Sequence, residues 1–439
     1  MGWQFARNGG GKMTRPQPKT TLPGIKKRAS DFITETRQYK VITPLFGGGV
    51  NPGEADPVTI VRATEIRGHL RFWWRATCGG NFNGNLEAMQ TREDEIWGSS
   101  VASGKPGPSK LSIFVKPTNR GTKFQAVNHR GESIRNVGHP SSKDGYAAFA
   151  LRERNNPVIL ENIEFDLVVS YESKYKSDLM AALWAWEIFG GIGARTRRGF
   201  GSLQRIGDPG NLTPKVSEIA NYIQEKLNSL NGVWPKGVPH LSQTLALRII
   251  SREGASHLTM QRFLVSTLKE FRQKRDPDSQ HRPFGRSKWP EPDEIRRISL
   301  TSSTGHAPKH PINKFPRAVF GLPIIFEFKE DDVAHGDPAR TTLQGAPISE
   351  TESIDRLASP LILRPVACSD GVVGLAAILE WTPLNTEDEP YTPPGGLLLK
   401  GAPHNPLVKS KLDKSEAALI PHLDGEPDVL KAFLQYLSK

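Results

Sequence analysis

Between Gln38 and Ile206 the spacing of apolar residues switches repeatedly between the period of a strand and that of a helix, and the order of those switches restricts the fold more than any other feature. Gln38 to Thr43 reads as a short strand, broken by Pro44 and a turn at Gly47 to Gly49. Glu65 to Cys78 is helical in period and Leu111 to Val115 reads as a strand. Ile163, Phe165, Leu167, Val169 and Tyr171 then alternate with mostly polar neighbours, as a half-buried strand requires. Ser177 to Phe189 returns to a helix and Phe200 to Ile206 to a strand. Strand, helix, strand, strand, helix, strand is the split βαβ order of a ferredoxin-like, or RRM-like (βαββαβ), unit.

A second series follows. Residues 207–239 form a helical connection, with Val216, Ile219, Ala220, Ile223 and Leu227 on one buried face. Residues 240–439 read as a second, divergent ferredoxin-like domain. It has a strand near Leu245 to Ile250, a helix from His257 to Arg272, strands near Val319 to Phe328, Leu361 to Val366 and Gly374 to Trp381, and a terminal helix from Pro427 to Leu437. Two polar, Pro- or acid-rich stretches, about 276–316 and 329–352, are expected to be insertions with little structure of their own. The first 35 residues, rich in Gly, Pro, Lys and Arg, read as a flexible basic arm before the N-terminal domain of residues 36–206. The class is α+β, with tandem ferredoxin-like units and irregular insertions.

A net charge of +12 points to a polyanionic partner, because such a balance raises both encounter rate and affinity for nucleic acid. The chain lacks a long apolar run and a signal-peptide core, which argues against membranes and for a cytoplasmic protein. Its two cysteines, Cys78 and Cys368, rule out a disulfide framework and a cysteine-based zinc site.

The stretch GGIGARTRRGFGSL, Gly190 to Leu203, sets Arg195, Arg197 and Arg198 among glycines. Glycine-rich phosphate loops run strand, glycines, helix, so that a helix N-terminus meets the anion. Here the helix comes first and a strand follows, and neither GxGxxG nor a Lys-Ser/Thr pair is present. A mononucleotide or dinucleotide cofactor is therefore not expected. The stretch predicts a flexible clamp for a phosphodiester backbone, with Gly191, Gly193 and Gly199 admitting the phosphate and the three arginines holding it.

In EIRGHLRFWWRATCGG, Arg67, Arg71 and Arg75 recur at i, i+4 and i+8 and share one helical stripe, while Ile66, Leu70, Trp73 and Thr77 occupy another. Like charges one turn apart destabilise an isolated helix, so the cationic stripe predicts an anion beside it. Trp74 lies between the stripes and is a candidate for base stacking. Helix and loop are expected to form one continuous cationic surface.

These three motifs, TPLFGGG at 43–49, IRGHLRFWWRA at 66–76 and GGIGARTRRGFGSL at 190–203, carry a resemblance. Together they resemble the RAMP superfamily of CRISPR-associated proteins, and within it the first-numbered subunit of the Cmr, or type III-B, complex. FPRAVFGLP at 315–323 and RLASPLILRP at 356–365 are weaker pieces of the same likeness. The resemblance implies tandem ferredoxin-like folds that bind RNA at one end of a crRNA-containing ribonucleoprotein, with crRNA, target RNA and other Cmr-type subunits as partners in antiviral defence.

Some relatives cut RNA, and metal-free cleavage needs a general base near the 2′-hydroxyl. His69 lies away from the arginine stripe, in a structural position. His306 and His310 have helical spacing, but Pro308 and Pro311 oppose a helix there. Asp31 has no partner carboxylate positioned by the sequence. No catalytic constellation, metal site or cofactor emerges. The leading expectation is a non-enzymatic RNA-binding subunit that caps the crRNA 3′ end and holds target RNA. The alternatives are a metal-independent endoribonuclease that processes crRNA, and an architectural subunit whose basic faces meet only protein.

Overall fold

A computed structural model describes residues 31–99, 107–207, 214–277, 285–300, 307–329, 333, 336–349, 354–383 and 391–438. The basic arm up to residue 30 and His306 lie outside the described residues, as do parts of both expected insertions.

The first unit contains β1 (Phe32–Val41), α1 (Ala63–Cys78), α2 (Leu86–Trp97), β2 (Leu111–Lys123), β3 (Leu160–Glu172), α3 (Lys176–Phe189) and β4 (Leu203–Ile206). Its sheet runs β2–β3–β1–β4 with every neighbour antiparallel, the arrangement that the split βαβ order requires. Alternation along β3 turns Ile163, Phe165, Leu167, Val169 and Tyr171 into the core, each fully buried. Helices α1 and α3 cover that face with Ile66, Leu70, Trp73, Leu179, Leu183 and Trp186. Tyr39 stacks on Phe165 with ring centroids 5.4 Å apart and donates its hydroxyl to Glu187 at 2.6 Å, so the buried phenol is satisfied.

Two parts of this unit differ from the sequence reading. β1 begins at Phe32 and β2 continues to Lys123, because paired partners on β3 extend both strands beyond their apolar cores. Helix α2 was not expected. Its buried face, Met89, Glu93, Ile96 and Trp97, includes a carboxylate, which hides the apolar period, and its start is set by Asn85 accepting from the Ala88 amide at 3.0 Å. Between β2 and β3, residues 124–159 form turns around a small core of Phe124, Val137, Leu151 and Ile159 with Phe46, Phe200 and Val265.

The second half contains α4 (Ile219–Asn228), β5 (Ala246–Ser251), α5 (His257–Arg272), α6 (Glu291–Ile298), β6 (Ile324–Phe326), β7 (Thr341–Gly345), β8 (Leu361–Ala367), β9 (Val372–Ile378), β10 (Leu397–Lys400), β11 (Leu407–Val408), α7 (Lys414–Ala418) and α8 (Val429–Tyr436). One sheet runs β5–β9–β8, repeating three of the four positions of the first unit, and no strand among the described residues flanks β5 on its other side. β8 and β9 are buried at every position. Ile362, Val366, Val373, Leu375 and Ala377 join the core of the first unit, whereas Leu361, Leu363, Ala376 and Ile378 pack with Leu264, Leu268 and Phe433 of α5 and α8. One hydrophobic core thus continues across the connection that holds α4.

A further sheet, β11–β10–β7–β6, is a correction to the expected second series. Val319 to Phe328 is a 3-10 turn over Pro316–Phe320 followed by the short β6, and β6 pairs with β7 rather than with β8 or β9. The segments read as unstructured also need correction. The described part of 276–316 carries α6, and β7 lies within 329–352. Asp293 is the organising residue of the first: it accepts the Lys309 and His310 amides at 2.9 Å each and pairs with Arg286 at 2.6 Å and Arg296 at 3.0 Å. Polar residues that satisfy one another hold a segment that lacks an apolar period.

Candidate nucleic-acid interface

The arginine stripe of α1 faces α2. Arg71 Nε donates to Glu93 Oε1 at 2.7 Å, Arg75 Nη1 donates to the same oxygen at 2.6 Å, and Arg67 Nη1 donates to the Trp97 carbonyl at 3.3 Å. The Glu93 side chain is only 6% exposed and both its arginine partners 34%. The anion that the stripe predicted is this carboxylate, so Arg67, Arg71 and Arg75 are half-buried tethers of α2 rather than a bare cationic face. Trp74 is fully buried and donates its indole N–H to Asp178 at 2.7 Å, which removes it as a stacking platform.

The glycine-rich loop closes on the protein's own groups. Gly190 caps α3, its N–H bonded to the Trp186 carbonyl at 3.0 Å. Ala194 and Gly201 then donate to the carbonyls of Phe46 and Pro44 at 2.6 and 2.9 Å, joining the loop to the TPLFGGG turn. Gly193 has φ +80°, donates its N–H to the Glu65 carboxylate, and leaves no room for a side chain: a Cβ there would lie 2.5 Å from the Phe46 carbonyl oxygen. The carboxyl group of Glu65 also fills the space beside Gly48. Gly191 and Gly199 are equally enclosed, by the Gly201 carbonyl and by Gln261 with the Leu363 carbonyl. Glycine is needed here for close backbone approach, but the enclosed anion is Glu65.

The three loop arginines go separate ways. Arg197 donates to the Ser359 carbonyl and lies 5.5 Å over the Phe72 ring, and burial pushes its pKa down to about 10. Arg198, 9% exposed, donates to the Leu361 carbonyl at 2.7 Å. Burial first, then the charges of Arg272, Arg195 and Arg197, push its pKa down to about 9. In the opposite direction Arg364 of β8, fully buried, donates to the carbonyls of Gly190 at 2.5 Å and Leu203 at 3.2 Å. The two halves therefore exchange guanidiniums across their junction. Arg195 alone of the three side chains is exposed. The expected continuous surface of α1 and the loop is not formed: Arg71 turns to α2 and Arg197 to Ser359.

Among the histidines, His69 Nε2 stands 3.5 Å from Glu65 Oε1, next to the glycine loop. The His310 amide is held by Asp293, and burial lowers the ring's pKa. Among the described residues no group of His, Cys, Asp and Glu could hold a metal ion, and no helix is long and apolar enough to cross a membrane.

Residues 38–204, the first sheet with its helices and glycine loop, match the RAMP superfamily. The chain carries a RAMP superfamily domain. Among curated relatives it is 26% identical over 181 residues to the CRISPR system Cmr subunit Cmr1-2 of Pyrococcus furiosus, covering 38% of this chain and 91% of that protein. To subunit Cmr1-1 of the same organism it is 23% identical over 152 residues, 33% of this chain and 40% of that one. Among solved structures, apo Cmr1 from Pyrococcus furiosus superposes with a TM-score of 0.45 at 17% identity, covering 84% of this chain and 94% of that one. A chain of the type III-B Cmr-beta complex bound to cognate target RNA gives 0.42 at 12% identity, covering 92% and 99%.

Several residues around the RAMP domain's loop had no place in the sequence reading. Glu65 and Glu93 take the anion's position at the loop and at the stripe, and Arg364 braces the loop from β8. Arg364 had a signal: a single arginine inside the apolar run LILRPVA must find partners in the core. Tyr146 and Arg272, joined by a 2.8 Å hydrogen bond, carried none, since they meet only in three dimensions.

Proposed function

We propose that this chain is an RNA-binding subunit of a type III-B CRISPR effector, working with guide RNA, target RNA and other Cmr-type subunits. In this reading its two related sheets are tandem ferredoxin-like units, and it caps the crRNA 3′ end and holds target RNA without cutting it. The similarity to a Cmr subunit across 91% of that protein's length carries the reading. The net charge of +12 and the exposed Arg195 on the RAMP domain's loop agree with a polyanionic partner.

Reconstitution tests it. The chain, mixed with guide RNA and the remaining subunits of a type III-B complex, is expected to co-elute with them and to lengthen the guide's 3′ nuclease footprint. Exclusion from the assembled particle would refute the assignment. The His69–Glu65 pair beside the loop is the observation that favours a processing endoribonuclease instead. Incubating the purified chain with repeat RNA in chelator decides between them, because a processing enzyme leaves a product that disappears in His69→Ala. Salt-independent association with protein subunits and no affinity for RNA would leave the architectural reading.

A further inference from the structure

We propose that Arg195, Arg272 and Tyr146, supplied by three separate segments at the junction of the two halves, form a binding site for one phosphodiester group of an RNA strand. The proposal rests on the RNA-binding reading above and assigns a place to it.

Three segments converge on this point. Ala194, Tyr146 and Leu258 all pack on the small core that contains Phe200 and Val265, which brings the glycine loop, the turns before β3 and helix α5 together. A two-pronged ion pair locks the second segment to the third: Arg262 of α5 donates Nε and Nη2 to the two oxygens of buried Asp144 at 2.8 and 2.7 Å. Two residues after Asp144 stands Tyr146, whose hydroxyl accepts from Arg272 Nη1 at 2.8 Å. The hydroxyl hydrogen remains available to donate to an acceptor in front of it.

The arginines at this junction lack acidic partners, whereas several others are neutralised: Arg71 and Arg75 by Glu93, Arg262 by Asp144, Arg286 and Arg296 by Asp293. Among the described residues no carboxylate pairs with Arg195, Arg198 or Arg272. Arg198 is used up on main-chain carbonyls, and Arg272 bonds Tyr146 and lies 5.2 Å over the Phe320 ring. Its Nε is buried without a partner. Ala194, next to Arg195, packs on the same small core as Tyr146, to which Arg272 is bonded, so loop and arginine meet at one junction. Partial desolvation lowers the pKa of Arg195, and the charge of Arg272 adds to the fall. Like charges gathered without a counter-ion cost stability unless an anion joins them.

The backbone at Arg195 is a separate sign. Its φ is +60°, in the left-handed region that favours glycine, within a loop that uses glycine at the positive-φ positions 193 and 199. An arginine kept at that position, exposed and unpaired with a carboxylate, points to a use for its side chain. Two guanidiniums and a phenolic hydroxyl match a phosphodiester, which offers one negative charge shared over two oxygens.

Fluorescence anisotropy with a labelled single-stranded RNA of mixed sequence, the full chain and several salt concentrations provides the test. Arg195→Gln and Arg272→Gln should each weaken binding several-fold and flatten the dependence of log K on log salt by about 0.7. Because both hold one phosphate, the double variant should lose less than the product of the single losses. Tyr146→Phe should weaken binding with the slope unchanged, since it removes a hydroxyl and no charge. Arg248→Gln, an exposed arginine on β5, calibrates the loss of one distant charge. If the parent binds RNA but folded Arg195→Gln and Tyr146→Phe match it, or if the two arginine losses simply multiply, the site is refuted and the RNA-binding reading survives. A parent chain with no salt-dependent RNA affinity overturns both. Should Arg272→Gln fail to fold, Arg272→Lys, which keeps the charge and loses the fork, takes its place and is expected to bind more weakly than the parent.

Discussion

Replacing Arg71 and Arg75 tests whether the α1 stripe holds α2 or faces a ligand. Glu93 is nearly enclosed and its neutralising partners are these two arginines, at 2.7 and 2.6 Å. A hydrogen bond to a charged group contributes about 1.5–3 kcal/mol, and the one-third exposure of each guanidinium moves the value toward the lower end. Arg71→Gln should therefore cost about 1–2 kcal/mol, with Arg75 still neutralising the carboxylate. The pair Arg71→Gln and Arg75→Gln leaves a buried carboxylate uncompensated, which should cost about 3–5 kcal/mol. Adding Glu93→Gln should recover much of that loss, because an amide needs no counter-charge. Denaturant unfolding gives these differences, and the same proteins are measured for RNA affinity and salt slope. Losses in stability with RNA binding unchanged are expected for Arg71→Gln. An Arg71→Gln protein of parental stability whose RNA affinity and salt slope both fall would refute the tethering argument and restore the ligand-facing stripe.

Gly193→Ala should destabilise the chain, since its Cβ would press on the Phe46 carbonyl at a positive φ; a parental melting temperature would show that the loop can shift aside. Arg364→Met should lower the melting temperature and speed amide exchange in residues 190–203, whose Gly190 and Leu203 carbonyls lose their donor; unchanged exchange there would mean that β8 does not brace the loop. Glu380 is held down to about 2, chiefly by His240, whose Nε2 stands 3.6 Å from its carboxylate, and further by the hydrogen bonds from Ser242 at 2.5 Å and Thr244 at 3.0 Å. A carboxylate lowered in the fold adds stability that is complete above its unfolded pKa and fades as pH falls from about 4.5 to about 2. Glu380→Gln should thus flatten the acid side of the stability curve, and identical acid titrations of parent and variant would contradict this.

The first unit was readable because its main elements, β3, α1 and α3, are long and strongly apolar where they meet the core. β3 buries every second residue and α1 buries the stripe that faces the sheet, so period locates them, while α3 is a long apolar run buried on nearly every side from Ala182 to Phe189. α2 was missed because a glutamate stands in its buried face, and α6 because its segment is held by Asp293 and its arginines rather than by apolar contacts. β6 and β7 are short, and their assignment to a separate sheet depends on pairing that no local pattern encodes.

For the candidate site the division falls between backbone and partner. The glycines of the RAMP domain's loop correctly announced a close approach, since positive φ and the absence of a Cβ are local demands. What approaches was not local: Glu65, Phe46 and Pro44 come from the other end of the unit. Six arginines in two motifs look alike along the chain, because a guanidinium carries the same charge wherever it stands. Tertiary structure separates them, giving Arg71 and Arg75 to Glu93, Arg67 to Trp97, Arg197 and Arg198 to the carbonyls before and within β8, and leaving Arg195 exposed. The sequence by itself determined the order of elements in the first unit and the basic balance of the whole, since periodicity and net charge are properties of the chain. Which arginines remain to meet an anion was decided only by folding, because a guanidinium is neutralised by whichever carboxylate, or has its donors occupied by whichever carbonyl, packs within a few ångströms of it.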